Sequence, residues 1–180
     1  MLWFVGLGIS GVSELSDNAI SVIKNADVVY LESFTSPISE TEKVQLENMC
    51  DGEFKIAKRW IVEDGNEILE NAKKKKTVLI SYGDPYIATT HLELKTRAIT
   101  DKIETNTIHS SSIISSLIGE IGLQYYKVGK ILTIMNDPKS MITPYNTIFN
   151  NLLSKMHSII LLEYNEAKSF FLEPQNALSL

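Results

Sequence analysis

Thr77-Val78-Leu79-Ile80-Ser81, running into Tyr82-Gly83-Asp84-Pro85, decides the fold. Val78, Leu79 and Ile80 follow one another with no polar alternation, so the segment reads as a strand buried on both faces, ended by a Gly-Asp-Pro turn. Leu2 to Gly6 and Asp27-Val28-Val29-Tyr30-Leu31 have the same character. Phe54 to Ala57 and Glu104 to Ile108 are shorter candidates. Amphipathic stretches lie between them. Residues 16–26 predict a helix capped by Ser16, with Ala19, Ile20, Val22 and Ile23 as its apolar stripe. A polar helix opens at Ser39 and reaches about Met49, with Thr41 and Glu42 in its first turn. Residues 64–75 and 89–99 complete the set, Thr89 or Thr90 being placed to cap the last. This β-α-β-α order predicts an α/β domain with a parallel sheet flanked by helices. Such sheets bind ligands at the carboxyl ends of their strands, so the loops after Val5, Leu31, Ile80 and Ile108 are the ones to inspect.

The second half is sparser. A helix is predicted over residues 111–121, with Ile113, Ile114, Leu117 and Ile118 apolar. Strands are expected over 130–135 and 158–163, with a helix between them from Pro144 to about Lys155. A last helix opens near Glu173-Pro174. There is no internal repeat and no low-complexity tract.

The chain has 180 residues and a formal net charge of −5. Its mean hydropathy of +0.00 is that of an ordinary globular protein. The acidic balance argues against nucleic acid as the main partner. Lys73-Lys74-Lys75-Lys76 closes a predicted helix, where cations complement the dipole, and reads as a solvated face. A single cysteine, Cys50, excludes an internal disulfide and points to a reducing, intracellular compartment. His91, His109 and His157 have no metal-ligand spacing. No apolar run approaches the ~20 residues of a membrane span. No basic segment precedes Leu2-Trp3-Phe4-Val5, so these residues do not read as a signal peptide.

Several segments are candidate sites. Gly6-x-Gly8-x-x-Gly11 follows a strand, and Glu32 ends the next one, which on paper is a dinucleotide-binding fingerprint. In that motif, however, the helix begins inside the glycine loop, whereas here the best cap is Ser16, so a tight turn beside another ligand is the stronger reading. Gly83-Asp84-Pro85 places one carboxylate at a strand's carboxyl end, with an ordinary Asp turn as the competing explanation. His109-Ser110-Ser111-Ser112 ends a strand and opens a helix, so its hydroxyls either cap or face a ligand. A lone His109 reads first as a hydrogen-bonded structural residue. No Gly-x-Ser-x-Gly elbow supports hydrolase chemistry. Glu32-Ser33-Phe34-Thr35-Ser36 suits either a polar substrate or a capped loop with Phe34 packed inward.

Taken together, Phe4-Val5-Gly6-Leu7-Gly8-Ile9, residues 26–32, Phe34-Thr35-Ser36, Gly83-Asp84-Pro85-Tyr86-Ile87-Ala88-Thr89-Thr90-His91, residues 108–113, residues 122–130, Thr143-Pro144-Tyr145, residues 157–163 and Asn176-Ala177-Leu178 carry a resemblance. The chain resembles the diphthine synthases, within the tetrapyrrole-methylase-like class of S-adenosylmethionine methyltransferases. Gly-Asp-Pro marks the wider class, and the Ala-Thr-Thr-His continuation points to the diphthine synthases. The resemblance implies two α/β domains with S-adenosyl-L-methionine in the cleft between them, and a cytoplasmic homodimer. The expected domains are 1–111, complete with its parallel sheet, and 112–180, a partial second α/β domain. It implies elongation factor 2 as the protein substrate, methylated on the amine of a 3-amino-3-carboxypropyl group carried by a histidine. Ile9, Asp84, Ile87, Ser112, Ile113 and Leu162 fall on the family's cofactor-contact positions. The isoleucines and Leu162 would wall the adenosine and methionine stem, Asp84 would hold the polar end, and Ser112 offers a hydroxyl and an N–H. No catalytic side chain and no metal are implied. The released proton goes to solvent or to a nearby carboxylate, for which Glu32 and Glu163 are candidates by position only. Diphthine synthases are normally longer, carrying further strands and two further cofactor-contact segments. The expectation is therefore a truncated second domain and weak or absent cofactor binding by this chain. A nucleotide-binding oxidoreductase and an inactive binding or dimerisation module are the competing functions.

Overall fold

A computed structural model describes residues 1–180. The chain divides into two compact units, Met1–Ile113 and Ile114–Leu180, where the sequence reading placed the division after Ser111.

The first unit is a parallel five-stranded sheet in the order β3-β2-β4-β1-β5. Its strands are β1 (Leu2–Gly6), β2 (Val28–Glu32), β3 (Glu53–Ala57), β4 (Thr77–Ser81) and β5 (Thr105–Ile108). The connecting helices are α1 (Asp17–Lys24), α2 (Glu40–Met49), α3 (Arg59–Asp64), α4 (Asn66–Lys74) and α5 (His91–Thr100). β2 and β4 are buried along their whole length, as their unbroken aliphatic runs predict. The pleat sends alternate side chains to opposite faces. Leu2, Phe4, Val28, Tyr30 and Leu79 pack with Val62, Ile68, Leu69, Leu94 and Ala98 from α3, α4 and α5. Val5, Val29, Leu31, Val78 and Ile80 pack on the other face with Ala19, Val22, Ile23 and Leu46 from α1 and α2.

Ser16 caps α1 by accepting the Ala19 N–H, and Ser39 closes a reciprocal capping box with Glu42 at the start of α2. The helix expected over 64–75 is α4, which begins at Asn66, and α3 before it was not expected. Gly65, at φ +66, is at once the C-cap of α3 and the N-cap of α4, a left-handed conformation that glycine adopts without penalty. Thr90 is the N-cap of α5 but makes no side-chain cap bond, and the Thr89 hydroxyl instead donates to the Pro85 carbonyl.

The second unit contains α6 (Ile113–Glu120, whose first residue belongs to the first unit), β6 (Leu132–Ile134), α7 (Ile142–Leu153), β7 (Ile160–Leu162), β8 (Tyr164–Asn165), β9 (Phe170–Phe171) and α8 (Pro174–Ala177). β6 and β7 pair in parallel, Ile134 opposite Leu162. Asn151 of α7 fixes the entry to β6. Its Oδ1 accepts the Lys130 N–H at 2.9 Å, and its Nδ2 donates to the Lys130 carbonyl and the Ser158 hydroxyl, both at 2.9 Å. α7 begins at Ile142, so Pro144 is its third residue, where its missing N–H is still one the helix would leave unpaired. β8 and β9 form a short antiparallel pair that sequence reading did not anticipate, with Tyr164 stacked on Phe171 at 4.6 Å.

Candidate functional site

β1 and β4 are neighbours, yet the chain leaves them in opposite directions, β1 toward β2 by way of α1 and β4 toward β5 by way of α5. Because α1 and α5 lie on opposite faces of the sheet, the two exit loops part, which makes their carboxyl ends the switch point where α/β sheets bind ligands. Backbone bonds hold the parting loops together. The Gly8 N–H donates to the Gly83 carbonyl at 3.1 Å, the Gly83 N–H returns to Gly8 at 3.0 Å, and the Leu7 N–H reaches the Ser81 carbonyl at 2.9 Å. Gly6 is required for this convergence: a Cβ there would lie 2.4 Å from the Gly83 oxygen and 3.0 Å from both Pro85 Cδ and Ser110 Cβ. Three exit loops therefore meet over one residue without a side chain.

The glycine loop after β1 is filled by the chain itself. Gly8 sits at φ +74, and a Cβ on it would strike the Glu14 carboxylate. Glu14 Oε2 accepts the Ser10 N–H at 2.9 Å, and Ser111 Oγ accepts the Ile9 N–H at 3.1 Å. The Ser111 hydroxyl, with the Ser10 and Ile9 N–H groups, holds the Glu14 carboxyl below the usual carboxylate range. The loop continues into a separate 3₁₀ turn, Gly11–Glu14, before α1 starts at Asp17. The pyrophosphate position of a dinucleotide fold is thus met by a carboxylate rather than by helix N–H groups, and the oxidoreductase reading is not favoured.

The loop after β4 turns on Asp84, which is buried. Asp84 Oδ1 accepts the Tyr86 N–H at 2.9 Å, and Oδ2 lies 2.7 Å from His109 Nδ1 at the end of β5. His109 packs edge-on against the Tyr86 ring at 5.8 Å, and its side chain is 67% exposed. The Tyr86 hydroxyl bonds Thr107 Oγ1 at 2.7 Å, and Lys95 Nζ lies 4.7 Å over the Tyr86 ring.

Glu32 and His91 lie beneath these loops, both buried. Glu32 organises its own loop, accepting the Phe34 N–H at 2.8 Å and the Thr35 N–H and hydroxyl at 2.6 Å each. Phe34 packs inward, so the capped-loop reading of this segment holds. His91 Nδ1 lies 3.0 Å from the Pro85 carbonyl. Its Nε2 has no hydrogen-bond partner and lies 3.7 Å from Glu32 Oε2. Burial lowers the His91 pKa, against the opposing pull of the Glu32 carboxylate. No group of three His, Cys, Asp or Glu side chains is placed to hold a metal ion.

This constellation sits in a chain whose residues 1–176 match the family model of Tetrapyrrole (Corrin/Porphyrin) Methylases. The chain is 38% identical over 169 residues to a diphthine synthase of Methanospirillum hungatei, an alignment covering 92% of this chain and 67% of that one. The chain belongs to the diphthine synthase branch of the tetrapyrrole methylases. It is also 34% identical to a diphthine methyl ester synthase of Candida glabrata, over 91% of this chain and 55% of the relative. A crystal structure of a diphthine synthase superposes with a TM-score of 0.80 at 33% identity, covering 88% of this chain and 62% of that one. The chain thus spans between about half and two thirds of the length of these relatives.

In this tetrapyrrole methylase, four of the six expected cofactor positions lie on the exit loops of the first unit, and a fifth, Ile113, opens α6 directly after one of them. Ile9 follows β1, Asp84 and Ile87 follow β4, and Ser112 and Ile113 follow β5. Ile9, Ile87 and Ile113 are 40%, 43% and 55% exposed, while Asp84 and Ser112 are buried. Leu162 ends β7 in the second unit. The Asp84–His109 pair and the Glu14 plug were not predicted. Residues 84 and 109 follow strands that β1 separates in the sheet, so no sequence spacing announces their meeting. The only available signal was that both follow a strand's carboxyl end.

Proposed function

We propose that this chain is the cofactor-binding and transfer portion of an S-adenosylmethionine-dependent protein methyltransferase of the diphthine synthase type. Its substrate is elongation factor 2 bearing a 3-amino-3-carboxypropyl histidine, and the methylated atom is the amine of that group. The observation that carries this is the convergence of three exit loops at the β1/β4 switch point, with aliphatic side chains left uncovered beside buried polar ones. That combination suits a ligand with an apolar ring and stem and a polar end. Ile9, Ile87 and Ile113 supply apolar walls. Ser112 contributes polar contacts, and Asp84 fixes the loop that carries Ile87. When bound, S-adenosylmethionine supplies a methyl carbon on a cationic sulfur, which departs with the bonding pair as the amine lone pair takes the carbon. The chain's part is to align a neutral amine with that carbon and to receive a proton, and alignment alone is worth up to ~7–11 kcal/mol in the best intramolecular cases. A homodimer in the cytoplasm belongs to the same proposal.

The test is mass spectrometry of elongation factor 2, isolated with its unmethylated 3-amino-3-carboxypropyl group, after incubation with this chain and a large excess of methyl-labelled cofactor, which offsets the weak affinity expected of a chain that spans about two thirds of its relatives. Successive increments of about 14 daltons plus the mass of the label on the modified histidine are expected. Label found elsewhere, or nowhere, would overturn the reading. Calorimetry with S-adenosylhomocysteine checks the pocket: Ile87→Asp, which sets a charge among the aliphatic walls, should weaken binding at least about tenfold.

A further inference from the structure

We propose that His109 is the catalytic base of the methyl transfer, with Asp84 and Tyr86 as the positioning residues that hold its ring. This rests on the function proposed above. A carboxylate can only accept, so Asp84 Oδ2, 2.7 Å from His109 Nδ1, fixes the proton on Nδ1. The other ring nitrogen, Nε2, is then left with its lone pair. The imidazole is 67% exposed, at the carboxyl end of β5, on the same edge of the sheet as Ile9, Ile87 and Ile113. Its plane is set by the Tyr86 ring, which the Tyr86 hydroxyl pins to Thr107 at 2.7 Å. Asp84 is itself fixed, because its Oδ1 is held by the Tyr86 N–H. A base, a carboxylate that sets its tautomer and a ring that sets its orientation are the parts of a general-base device. The charged and titratable groups around it are Asp84 on the β4 exit loop, Tyr86 on the same loop, and Lys95 on α5, which sits over the Tyr86 ring.

The chemistry supplies the need. An aliphatic amine near neutral pH carries an extra proton, and an ammonium has no lone pair with which to attack a methyl carbon. In the proposed step the substrate N–H bond breaks and its electron pair stays on nitrogen. A new N–H bond forms at His109 Nε2, and the positive charge moves onto an imidazolium beside the Asp84 carboxylate. Imidazole is suited to this because it exchanges protons near neutrality. Each successive methylation of the same nitrogen repeats the step. Buried His91 is a poorer candidate for the base, since its ring is closed off from solvent.

The first readout needs no turnover. Nitrogen-15 NMR of the histidine rings at alkaline pH is expected to show His109 protonated on Nδ1 and bare on Nε2. In Asp84→Asn the Tyr86 N–H keeps the amide oxygen, so the amide nitrogen faces His109 Nδ1 and donates to it. The ring proton is then driven to Nε2, which removes the lone pair a base needs, so methyl transfer by Asp84→Asn should fall at unchanged S-adenosylhomocysteine affinity, whereas a merely structural role would leave transfer as it was. A wild-type His109 protonated on Nε2 would overturn the proposal. The second readout is methyl transfer to elongation factor 2. His109→Gln should lose about 10²–10⁴-fold at pH 7, with the deficit shrinking as pH rises and the amine deprotonates by itself. S-adenosylhomocysteine affinity should change by less than about threefold, because proton removal is not part of cofactor binding. Unchanged transfer by His109→Gln beside an active wild type would overturn the assignment while leaving the proposed function standing. A wild type that transfers nothing at any pH would remove the function and the base's role with it, whatever the tautomer.

Discussion

The two units of the chain are built from similar elements and bury them to different degrees. In Met1–Ile113, the strands β2 and β4 are buried at every position. In Ile114–Leu180, β6 and β7 pair over three residues each, and Ile160 of β7 is 37% exposed. The helices differ in the same way. α1 and α4 hide their apolar stripes, whereas α7 leaves Ile142, Tyr145, Phe149, Leu152 and Leu153 uncovered. Hydrophobic stabilisation follows area removed from water, so similar aliphatic sequence contributes unequally in the two places. The second unit relies correspondingly more on polar geometry such as the Asn151 clamp, and the first on packing.

The widest gap is expected between two truncations of comparable chemistry. Leu79 is 1% exposed and stands in register between Phe4 and Tyr30. Leu79→Ala should cost about 2–5 kcal/mol, the lost transfer energy plus an unfilled cavity. Ile160→Ala should cost about 1 kcal/mol, because much of its side chain already meets water. Urea denaturation distinguishes them, with the units followed separately. Both tryptophans, Trp3 and Trp60, lie in the first unit, so their fluorescence reports that unit alone. Near-ultraviolet circular dichroism adds the tyrosines of the second. Equal losses for the two variants would break the comparison.

Asn151→Ala sharpens it from the other side. The substitution leaves the Lys130 N–H and carbonyl and the Ser158 hydroxyl without their shared partner. The expected cost is about 1–3 kcal/mol, typical of part-buried polar groups that lose their bonds. It should appear in the tyrosine signal and leave the tryptophan midpoint where it was. A tryptophan midpoint that moved by the same amount would mean the units unfold as one.

How much of this could be read from sequence divides along the same line. The first unit was legible because its signals are local and agree with one another. Ser16 and Ser39 cap where their spacing predicts, and the runs at β1, β2 and β4 fall within a residue of their expected ends. α3 escaped because it is short, has no side-chain cap and runs into α4 through the single residue Gly65, so no cap or turn signal sets it apart. In the second unit the strands were placed but overextended, since apolar character continues past the short stretch that actually pairs. The β8–β9 pair went unseen because two-residue strands carry no periodicity. The candidate site was legible to the level of loops but not of pairings. Asp84 was singled out by its turn and His109 by its strand end, yet their bond is a product of the sheet order, in which β1 separates their strands. Glu14 carries no signal in the sequence, because the N–H groups it accepts from reach it only when the glycine loop closes around it.

The smallest expected effect is a slope rather than a step, and it too belongs to one unit. His91 is buried in the first unit, whereas His157 of the second is exposed. Burial, opposed by Glu32, leaves the folded-state pKa of His91 below its ordinary value near 6.5. The unfolded chain therefore binds this proton more readily than the folded one. Stability associated with His91 is fully present above about pH 6.5 and falls as pH drops from there toward the lowered folded pKa. The tryptophan-reported midpoint in urea should decline from pH 7.5 to 5.5, and His91→Asn should flatten that decline. Asparagine can still donate its amide N–H to the Pro85 carbonyl, so the loop anchor survives while the titration is removed. If His91→Asn declined as steeply as the wild type, the acid sensitivity would lie elsewhere in the first unit, and the unpartnered Nε2 facing Glu32 would carry no pH dependence.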